Sequence, residues 1–352
     1  MLTRELGSSG RRVSAIGLGC MGMSGAYGPA DATESIATLH AALDAGVTLF
    51  DTGDFYGMGH NELLLRQALR GRAREQAVIS VKFGGLRDPD GHFLGNDASP
   101  RMVKTFLAYS LRRLGTDYVD IYRPARVDPA VPIEDTVGAI ADMIQAGHVR
   151  QIGLSEAGVN TLRRAQSVHP ISDLQIEYSL FSRGIEAEIL PVCRELGIGL
   201  TVYGVLSRGL LSGHWSRNQA VHAHDFRSNA PRFQGENLER NLKLVEALRS
   251  VAARQGATVA QAAIAWVLSR GADIIPVVGS RRRDQLAEAL SSLDLNLTAD
   301  DLAQIEHAVP AEAVSGERYN AQGMGSLDSE INTGANTILH SQDGWRPNPP
   351  SH

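Results

Sequence analysis

The strongest constraint on this chain is an alternation that repeats from end to end. Short apolar runs rich in β-branched residues give way to amphipathic stretches with helical spacing, and the cycle recurs eight times. The strand-like runs are "VSAIGLG", "VTLFDT", "AVISVK", "YVDIYR", "RQIGLS", "DLQIEY", "IGLTVYG" and "DIIPVVG". Between them lie patterns such as "ATESIATLHAALDAG", "SPRMVKTFLAYSLRRLG" and "PIEDTVGAIADMIQAG", several of them ending at Gly and several opening on Ser, Thr, Asp or Asn. Parallel strands buried on both faces read as continuous apolar runs. Eight β-α units over about 300 residues therefore predict a closed (β/α)8 TIM barrel, α/β in class, as a single domain over residues 1–315. Two segments break the repeat: a long Gly-, Arg- and Ser-rich loop at about 205–240, and a C-terminal tail, 316–352, rich in Gly, Asn, Ser and Pro and expected to be partly flexible.

The stretch "IGLGCMG" carries the spacing G-x-G-x-x-G at Gly17, Gly19 and Gly22. A dinucleotide-binding Rossmann turn needs a helix directly after these glycines, with its N-terminus at the pyrophosphate. Here "MGMSGAYGPAD" postpones the next helix to about Asp31. The match is one of spacing alone, and the glycines are expected to let the first strand and its turn approach a ligand near Gly22 and Met23.

Composition narrows the partners. A net charge of -5 gives no electrostatic reason to expect nucleic acid. Two cysteines, Cys20 and Cys193, offer neither a disulfide framework nor a metal-ligand spacing. No apolar run reaches membrane-span length and the N-terminus lacks a signal-peptide core, so a cytoplasmic location without membrane contact is expected. The histidines His40, His92, His148 and His169 fall on helices, loops or helix ends, so a metal-dependent hydrolase site at the strand ends is not expected.

In a barrel of this kind the C-terminal ends of the strands converge on one face. There the sequence places Asp51, Asp54 and Tyr56 after the second strand, Lys82 on the third, Ser155 and Glu156 on the fifth, Gln175, Glu177 and Tyr178 on the sixth and Tyr203 on the seventh. Each has an ordinary reading: a cap, a packed aromatic, a solvated strand end. Asp51, Tyr56 and Lys82 together make a coherent acid. A tyrosine of ordinary pKa about 10 becomes a better proton donor beside an ammonium, and a carboxylate orients that ammonium. At the eighth strand, "GSRRRDQLAEAL" puts Arg281, Arg282 and Arg283 at a helix start, where the macrodipole disfavours cations. A bound phosphate would relieve this; a solvated cluster partly neutralised by Asp284 is the plainer alternative.

With these residues in view, the sequence resembles the aldo-keto reductase superfamily of metal-free, NADPH-dependent barrels. The resemblance spans about residues 10–310 and rests on "GLGCMGMS", "LFDTGDFYGMGHNELLLRQAL", "VISVKFG", "QIGLSE", "LQIEYSLFSR", "TVYGVLSRGLLSG" and "IIPVVGSRRR". It implies reversible hydride transfer between NADPH and an aldehyde or ketone, with Tyr56 as general acid supported by Lys82 and Asp51. It further implies that Ser155 and Gln175 hold the nicotinamide carboxamide and that Tyr203 stacks on the ring. Gly204, Leu206, Arg208 and Gly209 would close over the pyrophosphate. Gly279, Ser280 and Arg281 would take the 2′-phosphate, with Gln285 near the adenine. Tyr27, Phe55, Tyr56, Phe83 and Ala125 are the expected walls of the substrate pocket.

The chain departs from the family pattern at four places. Glu156 stands where Asn is usual, Ala289 replaces an Asn near the adenine, and Gly279 precedes Ser280. In "DIYRPARVDP", Ala125 occupies the place of the usual catalytic histidine. Loss of that histidine is expected to enlarge the pocket, with Arg123, Arg126 or water as candidates to stand in for it. The alternative to a reductase is an NADPH-binding regulatory or sensor barrel with weak catalysis. Substrate and oligomeric state are open.

Overall fold

The computed structural model describes residues 1–219 and 225–331. Eight parallel strands form a closed barrel: β1 (Gly17–Gly19), β2 (Leu49–Gly53), β3 (Val78–Phe83), β4 (Val119–Pro124), β5 (Val149–Ser155), β6 (Ile171–Glu177), β7 (Gly199–Tyr203) and β8 (Ile274–Gly279). They pair in chain order, and β8 closes on β1 through Val277 opposite Gly17 and Gly279 opposite Gly19. The helices are α1 (Ala32–Asp44), α2 (His60–Ala68), α3 (Pro100–Leu114), α4 (Ile133–Gln145), α5 (Val159–Val168), α6 (Ile189–Leu196), α7 (Gly235–Arg254), α8 (Val259–Ser269), α9 (Arg283–Ser291) and α10 (Ala299–Ala308). Their apolar stripes face the barrel; α4, for example, buries Ile133, Val137 and Ile140. Capping boxes open α8 (Thr258 with Gln261) and α10 (Thr298 with Asp301).

Three details differ from the sequence expectation. The run "VSAIGLG" is two strands: Arg12–Ser14 turns back onto Thr3–Glu5 as an antiparallel hairpin, and only Gly17–Gly19 enters the barrel. That hairpin seals the floor, where Leu6 and Val13 pack on Leu49, Val78, Ile121, Ile275 and Val277. The irregular segment after β7 ends at Gly235 rather than about 240, because α7 starts there and packs outside the eightfold repeat against α10. From 316 to Ile331 the chain lies across the end of β5: Ser329 N–H donates to Glu156 O at 2.9 Å and Gly158 N–H to Asp328 Oδ2 at 2.7 Å. The expected flexible part of the tail, 332–352, lies outside the described residues, as does 220–224 of the long loop.

Side chains alternate in and out along a strand, so the barrel interior is built in layers. Above the apolar floor come Asp51 of β2, Ser80 of β3, Arg123 of β4, Asp173 of β6 and Thr201 of β7, all buried. Two residues further along the strands, at the open end, stand Lys82 and Gln175. Polarity thus rises from floor to mouth.

Candidate active site

Asp51, Lys82 and Gln175 form a closed buried ring. The Lys82 ammonium is paired with Asp51 Oδ2 and donates to Gln175 Oε1 at 2.8 Å, while Gln175 Nε2 donates to Asp51 Oδ1 at 2.8 Å. Ser80 Oγ gives Asp51 Oδ1 a further donor at 3.0 Å. Tyr56 opens a short turn, Tyr56–Gly59, that directly follows β2, and its ring centre lies 5.2 Å from Lys82 Nζ. Asn61 anchors this turn, donating to Cys20 O at 2.8 Å and Ser24 Oγ at 2.7 Å and accepting from Thr52 at 2.7 Å.

The electrostatics correct one expectation. Burial, followed by the Asp51 charge, raises the Tyr56 phenol well above its ordinary value. Arg126 opposes the rise without cancelling it, and the Lys82 ammonium beside the ring is itself paired with Asp51. Burial pushes Lys82 itself down, Asp51 opposes this, and Arg123 pushes it down further. Tyr56 is therefore a protonated donor at neutral pH. Beside it, Asp54 is buried with neither carboxyl oxygen hydrogen-bonded among the described residues. Burial and the neighbouring Glu62 push Asp54 up to about 8.

Below the ring, the fully buried Arg123 pairs with Asp173 at 2.9 Å and donates to Ser80 Oγ at 2.8 Å and Thr201 Oγ1 at 3.0 Å. Because the Ser80 oxygen accepts from Arg123, its own hydrogen is directed to Asp51. Gly153 of β5 makes this pair possible: a Cβ there would stand 2.5 Å from Asp173 Oδ1. Arg123 is thus a part of the barrel interior rather than a wall of the mouth.

At the mouth the tail supplies residues that sequence reasoning missed. Arg318 grips Glu156 through both oxygens, at 2.9 and 2.6 Å, and also binds Glu330 at 2.7 Å. Glu156 further accepts from the Tyr203 hydroxyl at 2.6 Å and from Ser329 Oγ at 2.6 Å. Burial alone would raise the Glu156 carboxyl, but the Arg318 grip outweighs it and holds the group down at about 2. Here lies the physical account of the departure at Glu156: a carboxylate at that place is matched by an arginine 162 positions away. Tyr319 follows, its hydroxyl 2.9 Å from that of Tyr203 and its ring under the Arg208 guanidinium at 4.5 Å. Arg208 is in turn paired with Glu177 at 2.8 Å. An arginine followed by a tyrosine, at 318–319, was the only signal in the sequence.

The residues implied to hold a nicotinamide dinucleotide have features that fit one. Ser155 Oγ is buried at the end of β5 without a hydrogen-bond partner among the described residues, beside the Gln175 amide, as a carboxamide holder requires. Ser207, Arg208 and Gly209 have φ of 44°, 54° and 107°, a run of left-handed backbone that persists where a loop is shaped for function. Gly204, φ 66°, lies against Glu177, and Leu206 packs on the core. At α9 the arginine cluster divides: Arg282 is paired with Asp284 and Arg283 with Glu34, whereas among the described residues the Arg281 guanidinium reaches main-chain carbonyls, those of Tyr27 at 3.2 Å, Gly28 at 3.5 Å and Pro29 at 3.1 Å. Ser280 is buried beside it, Gln285 accepts the Arg281 N–H at 3.2 Å, and a Cβ on Gly279 would meet only Gly19 O, at 3.9 Å. Across the mouth, Gly22 faces the Tyr27 ring, while the Met23 side chain is sunk in the core and leaves only its main chain to a ligand.

Among the expected pocket walls, Phe55 packs edge-on against Tyr56 with centroids 5.0 Å apart, Tyr27 lies under the Arg227 guanidinium at 5.0 Å, and Ala125, the residue after β4, is a buried methyl. Phe83 is not a wall. It follows the inward Lys82, so it points outward, where it stacks on Tyr122 at 4.3 Å and meets Phe106 of α3.

Fold and site together define a (β/α)8 barrel with an Asp-Lys-Tyr centre at the C-terminal end of its strands. The sequence matches the Aldo/keto reductase family over residues 15–310, and the chain belongs to that family. It is 42% identical over 323 residues to "Probable aldo-keto reductase 1" of Glycine max, covering 90% of this chain and 91% of the relative. Among solved structures, a glycerol dehydrogenase from Gluconobacter oxydans superposes with a TM-score of 0.79 at 27% identity, covering 88% of this chain and 96% of the other. The holo form of an aldo-keto reductase from Bacillus halodurans gives 0.73 at 27% identity, covering 88% and 97%. The protein is thus an oxidoreductase of this family. No helix among the described residues is long and apolar enough to cross a membrane.

Proposed function

We propose that the protein is an NADPH-dependent reductase of aldehydes or ketones, with the alcohol oxidation as its reverse. The observation that carries the reading is the Lys82 ammonium, locked between Asp51 and Gln175 and set against the Tyr56 ring at the mouth of the barrel. Bound NADPH supplies a hydride. Tyr56, protonated at rest, donates the proton to the carbonyl oxygen as hydride reaches the carbon. The phenolate left behind is stabilised by the cations nearby, Lys82 below and Arg126 beside it. Asp51 and Gln175 hold Lys82 in place, and Ser155 and Gln175 orient the carboxamide of the cofactor. Arg281, without an acidic partner among the described residues, supports a 2′-phosphate and hence NADPH over NADH. The intact ring counts against a sensor without chemistry. Tyr56→Phe is expected to cut kcat by at least about 10²-fold while NADPH still binds, read by quenching of protein fluorescence; undiminished turnover would refute Tyr56 as the acid.

A further inference from the structure

Arg126, Arg208, Arg232 and Arg318 converge on the mouth, and three carboxylates face them, Glu156, Glu177 and Glu330. Arg318 takes Glu156 and Glu330, while Arg208 and Arg232 share Glu177. Arg126 is the surplus cation: among the described residues its guanidinium reaches only Ala125 O at 2.7 Å and, more distantly, the Tyr319 hydroxyl at 3.4 Å. The Glu156 oxygens are already filled by Arg318, Tyr203, Ser329 and a main-chain N–H, so Glu156 acts on Arg126 through its charge and makes no hydrogen bond to it.

Its position is central. The Arg126 charge acts on Tyr56 after β2, Lys82 of β3, Glu156 after β5 and Tyr203 of β7. In space the guanidinium lies just past the end of β4, 5.8 Å from the Tyr319 ring centre, and the Tyr319 hydroxyl meets that of Tyr203 of β7 at 2.9 Å, which puts Arg126 at the open end of the barrel; Ala125 beside it contributes only a methyl group. A half-buried cation that makes no ion pair among the described residues favours a ligand that brings one.

We propose that Arg126 binds a carboxylate on the substrate, so that the favoured substrates are aldehydes or ketones carrying a carboxylate near the carbonyl that Tyr56 protonates. The inference rests on the reductase reading and makes Arg126 its specificity-determining residue. The guanidinium keeps N–H groups beyond those given to Ala125 O and the Tyr319 hydroxyl, and a planar guanidinium matches one carboxylate through two parallel hydrogen bonds. A phosphate dianion calls for a second cation, and the neighbouring arginines are committed to Glu156 and Glu177.

The test compares 4-carboxybenzaldehyde with 4-methylbenzaldehyde as NADPH oxidants, and titrates benzoate calorimetrically, for the wild type, R126Q and R126K. The wild type is expected to favour the carboxylate at least tenfold in kcat/KM. In R126Q this ratio falls to about one and benzoate binding is lost, while R126K keeps part of both. An equal ratio in wild type and R126Q overturns the assignment, and so does a larger preference for glyceraldehyde 3-phosphate over glyceraldehyde that R126Q removes. If neither aldehyde is reduced, the reductase reading fails, and the titration alone decides: benzoate binding abolished by R126Q supports the anion site, and binding unchanged by R126Q overturns it. R126K preserves the charge, so a folding defect in R126Q does not block the test.

Discussion

The buried pair Arg123–Asp173 offers the sharpest energetic prediction. Both side chains are 0% exposed, and the pair sits inside the barrel directly below the Asp51–Lys82 ring. Asp173→Ala removes the one carboxylate among the described residues that faces Arg123 at ion-pair distance and leaves its guanidinium with two hydroxyls, Ser80 and Thr201. Breaking a buried ion pair from one side costs about 3–5 kcal/mol, because the remaining charge is uncompensated. For a chain of 352 residues, an unfolding entropy of roughly 2.1 cal/mol/K per residue converts this into a fall of about 4–7 °C in Tm. Replacing both partners by apolar residues, Arg123→Met with Asp173→Val, removes the stranded charge. The double variant is expected to recover most of the loss, short by about 1–2 kcal/mol for the Thr201 hydroxyl left without a partner and the Ser80 hydroxyl left with Asp51 alone. Calorimetry gives Tm, and guanidinium unfolding followed through the fully buried Trp266 gives the free energies. A loss under about 1 kcal/mol for Asp173→Ala, or a double variant no better than the single one, would refute the reasoning.

Two further outcomes follow from the same geometry. Asp54, held up at about 8, keeps a proton in the folded protein that the unfolded chain releases near pH 4, so the folded state binds more protons and stability falls as pH rises through that window. Between pH 6 and 8 the wild type should lose about 2–3 kcal/mol relative to Asp54→Asn, up to about 1.4 kcal/mol per pH unit; parallel denaturation midpoints for the two proteins would remove Asp54 from the account. Arg281→Ala should weaken NADPH by about 10-fold or more, the worth of a charge-assisted contact, and leave NADH nearly unchanged; equal losses in fluorescence titrations of the two cofactors would exclude Arg281 from the 2′-phosphate site.

The barrel was legible because buried parallel strands and amphipathic helices leave local signatures, and eight of them recur in order. The Asp51–Tyr56–Lys82 constellation was legible for the same reason, since strand ends of a barrel meet wherever they lie in sequence. Helix α7 was hidden by that regularity, as it lies outside the repeat. The "IGLGCMG" spacing proved local as well: Gly17–Gly19 is the first barrel strand and a 3-10 turn, Met21–Ser24, follows it in place of the Rossmann helix. Phe83 was misplaced by one step of the strand alternation, and the arginines of "GSRRR" looked alike until Glu34 from α1 and Asp284 claimed two of them.

By itself the sequence determined the order of elements, the layering of the barrel and the chemistry available at its mouth, because these depend on periodicity and residue type along a strand. Only the tertiary structure decided which charges are spent and which are left. Glu156 finds Arg318, Arg123 finds Asp173, and Arg126 has no acid of its own among the described residues. Pairings across 50 to 162 positions depend on how side chains converge in space, and no local pattern encodes that convergence.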